Sequence, residues 1–204
     1  EEYKNYRKLK VSGKGHQWQQ LISRKDFLNI DFGTIHGRAL AQLVSGKFLE
    51  NQNLEEVYSD WISKQPVAKY TGYVYELMQP VKSGYNNLPL KRYQKDTINK
   101  QFYSLIETAK KGMNDKSGLI VVLDTSSSMT AAVPGLKVSS YDVGKSMALY
   151  FSYLLKGKFN RAYLEFADKC AMRFWGGKSP VEDLQLDRNE AYGSTNFQAV
   201  GDVF

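Results

Sequence analysis

The chain has 204 residues, 42% of them hydrophobic and 13% aromatic, enough to build a core for one large domain or two small ones. No run approaches the ~18 apolar residues of a membrane-spanning helix and no signal-peptide pattern opens the chain, so a membrane-embedded class and a membrane partner are not expected. The net charge of +7 is uneven: residues 1–116 carry 19 Lys/Arg against 12 Asp/Glu, while residues 117–204 carry nine of each. The basic half therefore either meets an anionic partner or presents a solvated helical surface.

The first thirty residues read as interrupted helix, broken at Val11-Ser-Gly13-Lys-Gly15, with Trp18, Leu21, Ile22 and Phe27 on one face. His16 and His36 have no Cys or His at ligand spacing and read as surface or capping residues. Ile30–Thr34 reads as a turn with Thr34 capping a helix to about Val44. A second amphipathic helix is expected over Asn53–Ile62, with Asn53 as cap and Glu56 at the capping-box position. Pro66 suits the first turn of a third helix carrying Val67, Tyr70, Val74, Leu77 and Met78. Residues 79–90, with Pro80, Gly84 and Pro89, read as a loop. The longest helical pattern runs from Lys91 to Met113, with Ile98, Phe102, Leu105, Ile106 and Ala109 apolar. Lys91, Arg92, Lys95, Lys100, Lys110 and Lys111 decorate it and are the candidate RNA contacts.

The character then changes near residue 115, from helix upon helix (1–115) to α/β (116–204). Gly118 to Leu123 is a continuous apolar run, the pattern of a strand buried on both faces of a parallel sheet. Asp124 ends it, and Ser126 and Ser128 follow at alternate positions. In a tight turn these side chains converge, and a carboxylate with two hydroxyls suits Mg²⁺ best, with Mn²⁺ or Ca²⁺ also possible. The bland alternative is a Ser-rich turn in which Asp124 caps the next helix. Ser139 or Ser140 caps a helix to about Lys156, with Val143, Met147, Ala148, Phe151 and Leu155 apolar. Arg161–Ala167 and Lys169–Trp175 alternate, a hairpin turning at Asp168, and residues 178–192 read as a polar loop. Ser194-Thr195 starts a last helix. The start at Glu-Glu-Tyr without Met, and the end inside that helix, read as part of a longer chain. Cys170 is the single cysteine and a core residue, so no internal disulfide forms. That favours a reducing compartment, cytoplasmic or within a phage or virus particle.

Asp124-x-Ser126-x-Ser128 after an apolar strand resembles the metal-ion-dependent adhesion site of von Willebrand factor type A (vWA) domains. The resemblance implies a Rossmann-like sheet, here with about three strands and truncated at its C-terminus. It also implies a threonine ligand from a Gly-x-Thr loop, for which Gly193-Ser-Thr195 stands. The family's late aspartate ligand has no counterpart before Phe204. Asp168 corresponds to a turn residue that is structural in the family. Tyr6-Arg-Lys, His16-x-Trp, Asp26-Phe-x-x-Ile-Asp31-Phe and Arg38-Ala-Leu are similar to the helical region of TROVE-type proteins, the group of the Ro ribonucleoprotein autoantigen and its bacterial and phage relatives. That similarity implies a basic ring of helices that binds small structured RNAs.

These readings converge on a non-enzymatic metal-dependent binding protein. Asp124, Ser126, Ser128 and Thr195 are the metal ligands, and the partner is an anion, either an acidic protein side chain or RNA. The alternatives are a structural component of a particle, such as a virion protein, and a Mg²⁺-dependent enzyme. The last lacks a Ser/His/Asp or Cys/His arrangement and a Walker-type loop.

Overall fold

A computed structural model describes residues 17–35, 37–84, 88–113, 119–136, 138–187 and 190–203. His16, His36 and the motifs within residues 1–16 lie outside the described residues, as do residues 114–118 ahead of the first strand. The chain is an α/β protein, with many helices and a small mixed sheet. No helix among the described residues is long and apolar enough to cross a membrane.

The helical half contains α1 (Gln17–Ser23), α2 (Gly37–Ser45), α3 (Phe48–Asn51), α4 (Glu55–Lys64), α5 (Val74–Ser83) and the 21-residue α6 (Arg92–Gly112). Ile35, Leu40, Leu49, Tyr58 and Ile62 form one apolar cluster, and Trp18, Leu21, Ile22 and Phe27 pack against it. Its aromatic rings meet edge-on, Phe32 on Tyr58 at 5.1 Å between centroids.

Four expectations in this half are corrected. Thr34 caps no helix; it closes a short 3₁₀ turn by donating to the Asp31 carbonyl. Asn53 does not cap α4, because it sits at φ 55 while Leu54 occupies the cap position. Asn tolerates that left-handed conformation better than most residues. Pro66 begins no helix; α5 starts only at Val74 and then runs through Pro80 into the segment expected as loop. Pro80 falls late enough that the lost N–H removes only one bond near the helix end. Gly84 stops α5 at φ +67 with its N–H on the Pro80 carbonyl at 2.7 Å, and a Cβ there would stand 1.7 Å from the Leu88 carbonyl oxygen.

Helix α6 runs as the sequence pattern predicts, and Lys91 N donates to Gln94 Oε1 at its start. The remaining elements are β1 (Val122–Asp124), α7 (Ser140–Leu154), β2 (Ala162–Phe166), β3 (Cys170–Phe174), α8 (Pro180–Leu186) and α9 (Gln198–Gly201). Strand β1 pairs parallel with β2, Val122 opposite Leu164 and Asp124 opposite Phe166, so α7 is the crossover between them. Strands β2 and β3 form the expected hairpin, with Ala162 opposite Phe174. One apolar cluster takes in Leu77, Ile98, Phe102 and Ile106 together with Leu123, Leu149, Tyr163 and Trp175. Helices from before residue 115 and the sheet after it thus share a core.

The structure also revises the second half. Strand β1 is covered on one face only: Leu123 is buried against α7, whereas Val122 is 38% exposed. The reason is the short helix α9, which places Val200 on Leu164 and Phe166 but leaves Phe174 62% exposed on the same face. In α7 the buried positions are Tyr141, Lys145, Ser146, Ala148, Leu149, Ser152, Tyr153 and Leu154, while Phe151 is 43% exposed. Apolar residues surround that helix, so their periodicity did not single out the packed side. The last helix starts at Gln198 rather than Ser194. The expected loop 178–192 contains α8, with Ser179 Oγ accepting from Glu182 N and Pro180 in its first turn.

Helix α8 is anchored by Asp183, which is buried and accepts three hydrogen bonds. Its Oδ1 accepts from Gly177 N at 2.7 Å and Arg161 Nη2 at 2.5 Å, and its Oδ2 from the Tyr153 hydroxyl at 2.7 Å. Asp183→Ala leaves the Arg161 guanidinium without its counter-charge and is expected to lower stability by about 3–5 kcal/mol, read from urea denaturation midpoints. A loss below about 1 kcal/mol would show that the network contributes no more than a surface pair.

Candidate metal centre

The Ser-rich loop leaves the carboxyl end of β1, where ligands collect in open α/β sheets. Its first step stays tied to the sheet: Thr125 donates from N and from Oγ1 to the Phe166 carbonyl, at 2.8 and 3.0 Å. Asp124 is half-buried, and its Oδ1 accepts from Ser126 N at 2.8 Å, which orients the carboxylate over its own loop. Ser126 is buried, with its Oγ 3.1 Å from Ser128 Oγ.

The second loop is stitched onto the first. Ser127 donates from N and Oγ to the Gly193 carbonyl at 3.0 and 2.8 Å, and Tyr192 N donates to the Thr125 carbonyl at 2.7 Å. Gly193 sits at φ +74, and a Cβ on it would stand 2.3 Å from Asp168 Oδ2, so the close approach requires glycine. Asp168, at the β2–β3 turn, accepts from Ser194 N at 3.0 Å and Ser194 Oγ at 2.5 Å. Asn196 N reaches the Ala167 carbonyl at 3.0 Å. Thr195, exposed, therefore lies between two anchored neighbours, on a loop bonded to that of Asp124. No hydrogen bond joins Thr195 to Asp124 among the described residues.

The structure thus brings Asp124, Ser126 and Ser128 together, places the Thr195 loop against them, and gives Asp168 the task of holding that loop. The donor set fits a hard cation: one carboxylate and hydroxyl oxygens, with Ser126 Oγ and Ser128 Oγ 3.1 Å apart. Adjacent oxygens in an octahedral Mg²⁺ shell of radius about 2.1 Å stand roughly 3 Å apart. No group of three or more His, Cys, Asp or Glu is arranged for a metal among the described residues. A cation here would keep most of its positive charge and so attract an anion.

The six basic residues of the long helix are not gathered. Lys91 Nζ lies 2.6 Å from Glu55 and 3.5 Å from Glu50. Lys100 donates to the carbonyls of Ile62, Ser63 and Gln65, and burial there pushes its ammonium below the usual lysine range. Lys95 reaches Gln185 at 3.4 Å, Arg92 is 3.9 Å from Asp96, and Lys110 and Lys111 are exposed in the last turn. The chain matches no protein-family model, no curated protein and no solved structure.

The two Ser194 donors hold the Asp168 carboxyl below its ordinary range. A depressed folded value means that the contact contributes fully above the unfolded value near pH 4 and is lost as pH falls through the folded value. Amide exchange at Ser194 is expected to accelerate in Asp168→Ala at neutral pH, and in the wild type only in stronger acid. Thr125 N, held by the Phe166 carbonyl at the end of the sheet, serves as the unchanged control. Equal exchange at Ser194 in the variant and the wild type would remove Asp168 from this role.

Proposed function

We propose that the chain is a non-enzymatic binding protein in which Asp124, Ser126, Ser128 and Thr195 hold a divalent cation, Mg²⁺ first, in a vWA-like domain that captures an anionic ligand. The observation that carries this reading is the pair of hydrogen bonds from Ser127 to Gly193, which fastens the Thr195 loop onto the Asp124 loop. A capping role for Asp124 alone would not call for a second loop brought from 66 residues away. In this reading Asp124 is the charged ligand, the hydroxyls fill neighbouring positions, and an open position takes water or a carboxylate or phosphate oxygen from the partner. We extend the proposal to RNA association through a TROVE-like helical half, supported by the charge of residues 1–116 and by Arg92, whose side chain is 90% exposed.

Thermal melts of the wild type and Asp124→Ala, each with Mg²⁺, Mn²⁺ or EDTA, test the centre. A cation at a hundredfold excess over its Kd is expected to raise the wild-type midpoint by roughly 5–10 °C and to leave the variant unmoved. Equal midpoints in EDTA and Mg²⁺ for both proteins would reject the metal reading. Small structured RNA titrated at two salt concentrations separates the extension, since phosphate contacts weaken steeply with salt.

A further inference from the structure

A cavity of about 150 Å³ opens where α5 packs on α7 and α8, at the seam between the helical half and the sheet. Its apolar wall comes from Met78, Val138 and Leu184, all buried. Tyr75 adds an aromatic wall, its ring stacked on that of Tyr73 at 5.8 Å between centroids. Of the lining residues, Gln79 and Lys82 are the exposed ones, so the cavity meets solvent on their side of α5.

The charged lining is closed on itself. Lys82 Nζ lies 2.7 Å from Asp142 Oδ1, and Lys145 Nζ lies 2.8 Å from Asp187 Oδ2. Asp142 is fixed in turn by Ser139, whose N and Oγ donate to its Oδ2 at 3.1 and 2.6 Å. Both side chains of the second pair are buried, so parting them would leave two dry charges uncompensated. Each ammonium thus has its own carboxylate, and the lining offers no spare charge of either sign. An ion entering the cavity would give up hydration without gaining a counter-charge, whereas a neutral apolar molecule loses nothing by leaving water.

Size and wall chemistry narrow the neutral molecule further. An apolar cavity of about 150 Å³ takes a body the size of benzene. A methionine thioether and a tyrosine ring both make contacts with a π-system that an aliphatic body of equal size does not offer. We propose that this cavity binds a neutral, single-ring aromatic molecule, its ring against Tyr75, Met78, Val138 and Leu184. The site is separate from Asp124 and does not depend on the metal reading.

The test is calorimetric titration in EDTA, which keeps the metal centre out of the experiment. Phenol is expected to saturate one site and to bind about threefold or more tighter than cyclohexanol, its saturated counterpart. Benzyl alcohol is expected to bind about tenfold or more tighter than benzylammonium or benzoate. Val138→Phe, which fills the cavity, should abolish phenol binding, with unliganded melting confirming that the variant folds. In the wild type, methyl resonances of Met78 and Leu184 should shift along the phenol saturation curve. Absence of saturable phenol binding, cyclohexanol binding as tightly as phenol, either ion matching benzyl alcohol, undiminished phenol affinity in folded Val138→Phe, or unmoved Met78 and Leu184 resonances would each overturn the proposal.

Discussion

The rest of the structure depends on the burial of α6 between two apolar clusters. Its 21 residues meet α2, α4, α5, α7 and α8. A helix packed on so many sides must satisfy most of the polar groups it carries inward, since an unpaired buried amide or hydroxyl costs about 1–3 kcal/mol; Gln101 Oε1, buried without a hydrogen-bond partner, is an exception. Gln94, Thr97 and Gln101 are all buried, and each is directed at a specific partner: the Val44 carbonyl at 3.1 Å, the Tyr58 hydroxyl at 2.9 Å and the Gly37 carbonyl at 3.2 Å. Lys100 does the same for the end of α4, taking carbonyls that a helix C-terminus leaves without partners. One helix thereby sets the positions of α2 and α4, because sliding either would strand several dry polar groups together.

The opposite side of α6 carries this order toward the sheet. Ile98, Phe102 and Ile106 pack into the cluster that also contains Leu149, Tyr153 and Leu123. Asn99 accepts from Val181 N at 3.0 Å, which ties the start of α8 to the same helix. Helix α7 in turn lies on β1, where a side chain at Gly144 would meet Leu123 at 3.1 Å. The Ser-rich loop is therefore suspended from a packed core at one end and from the Gly193 loop at the other. Such loops can hold side chains in fixed geometry because the scaffold, and not the loop, carries the stability.

Much of this was legible because strong local signals and the tertiary packing agreed. The long helix, the hairpin at Asp168 and the Ser139 cap each rest on patterns of sequence neighbours. Failures came where packing overruled a local signal or where two signals competed. Pro80 reads as a breaker, yet α5 keeps it because Leu77, Met78 and Val81 are all buried in the shared core. Helix α8 was hidden in a polar stretch, although Ser179-Pro180 with Glu182 is a start signal that the charges masked. Lys145 and Asp187 were invisible for a different reason: a buried ion pair has no periodicity, and its members sit 42 positions apart. In the candidate centre, Asp124, Ser126 and Ser128 were readable as neighbours and Asp168 as a turn residue, whereas its bonds to Ser194 depend on the close approach of Gly193, which lies 25 positions away.

The contrast between charge count and charge placement decides where an anion is best sought. The +7 of the first half is a property of composition, and the fold spends much of it internally. Lys91 faces two glutamates, Lys64 pairs with Asp60, Arg38 with Glu76, and Lys100 caps a helix. On α6 the exposed Arg92 and the exposed Lys110 and Lys111 stand at opposite ends of a 21-residue helix, farther apart than the ~10 Å over which salt screens exposed charges. In the proposed centre, a divalent ion held by a single carboxylate would concentrate its charge at one point on a prearranged loop. Fixed positive charge beside a shaped surface recognises a particular anion, whereas diffuse positive charge recognises any. Under the proposed function, that difference would make the Ser-rich loop beside the start of α7, and not the basic residues of α6, the place where specificity resides.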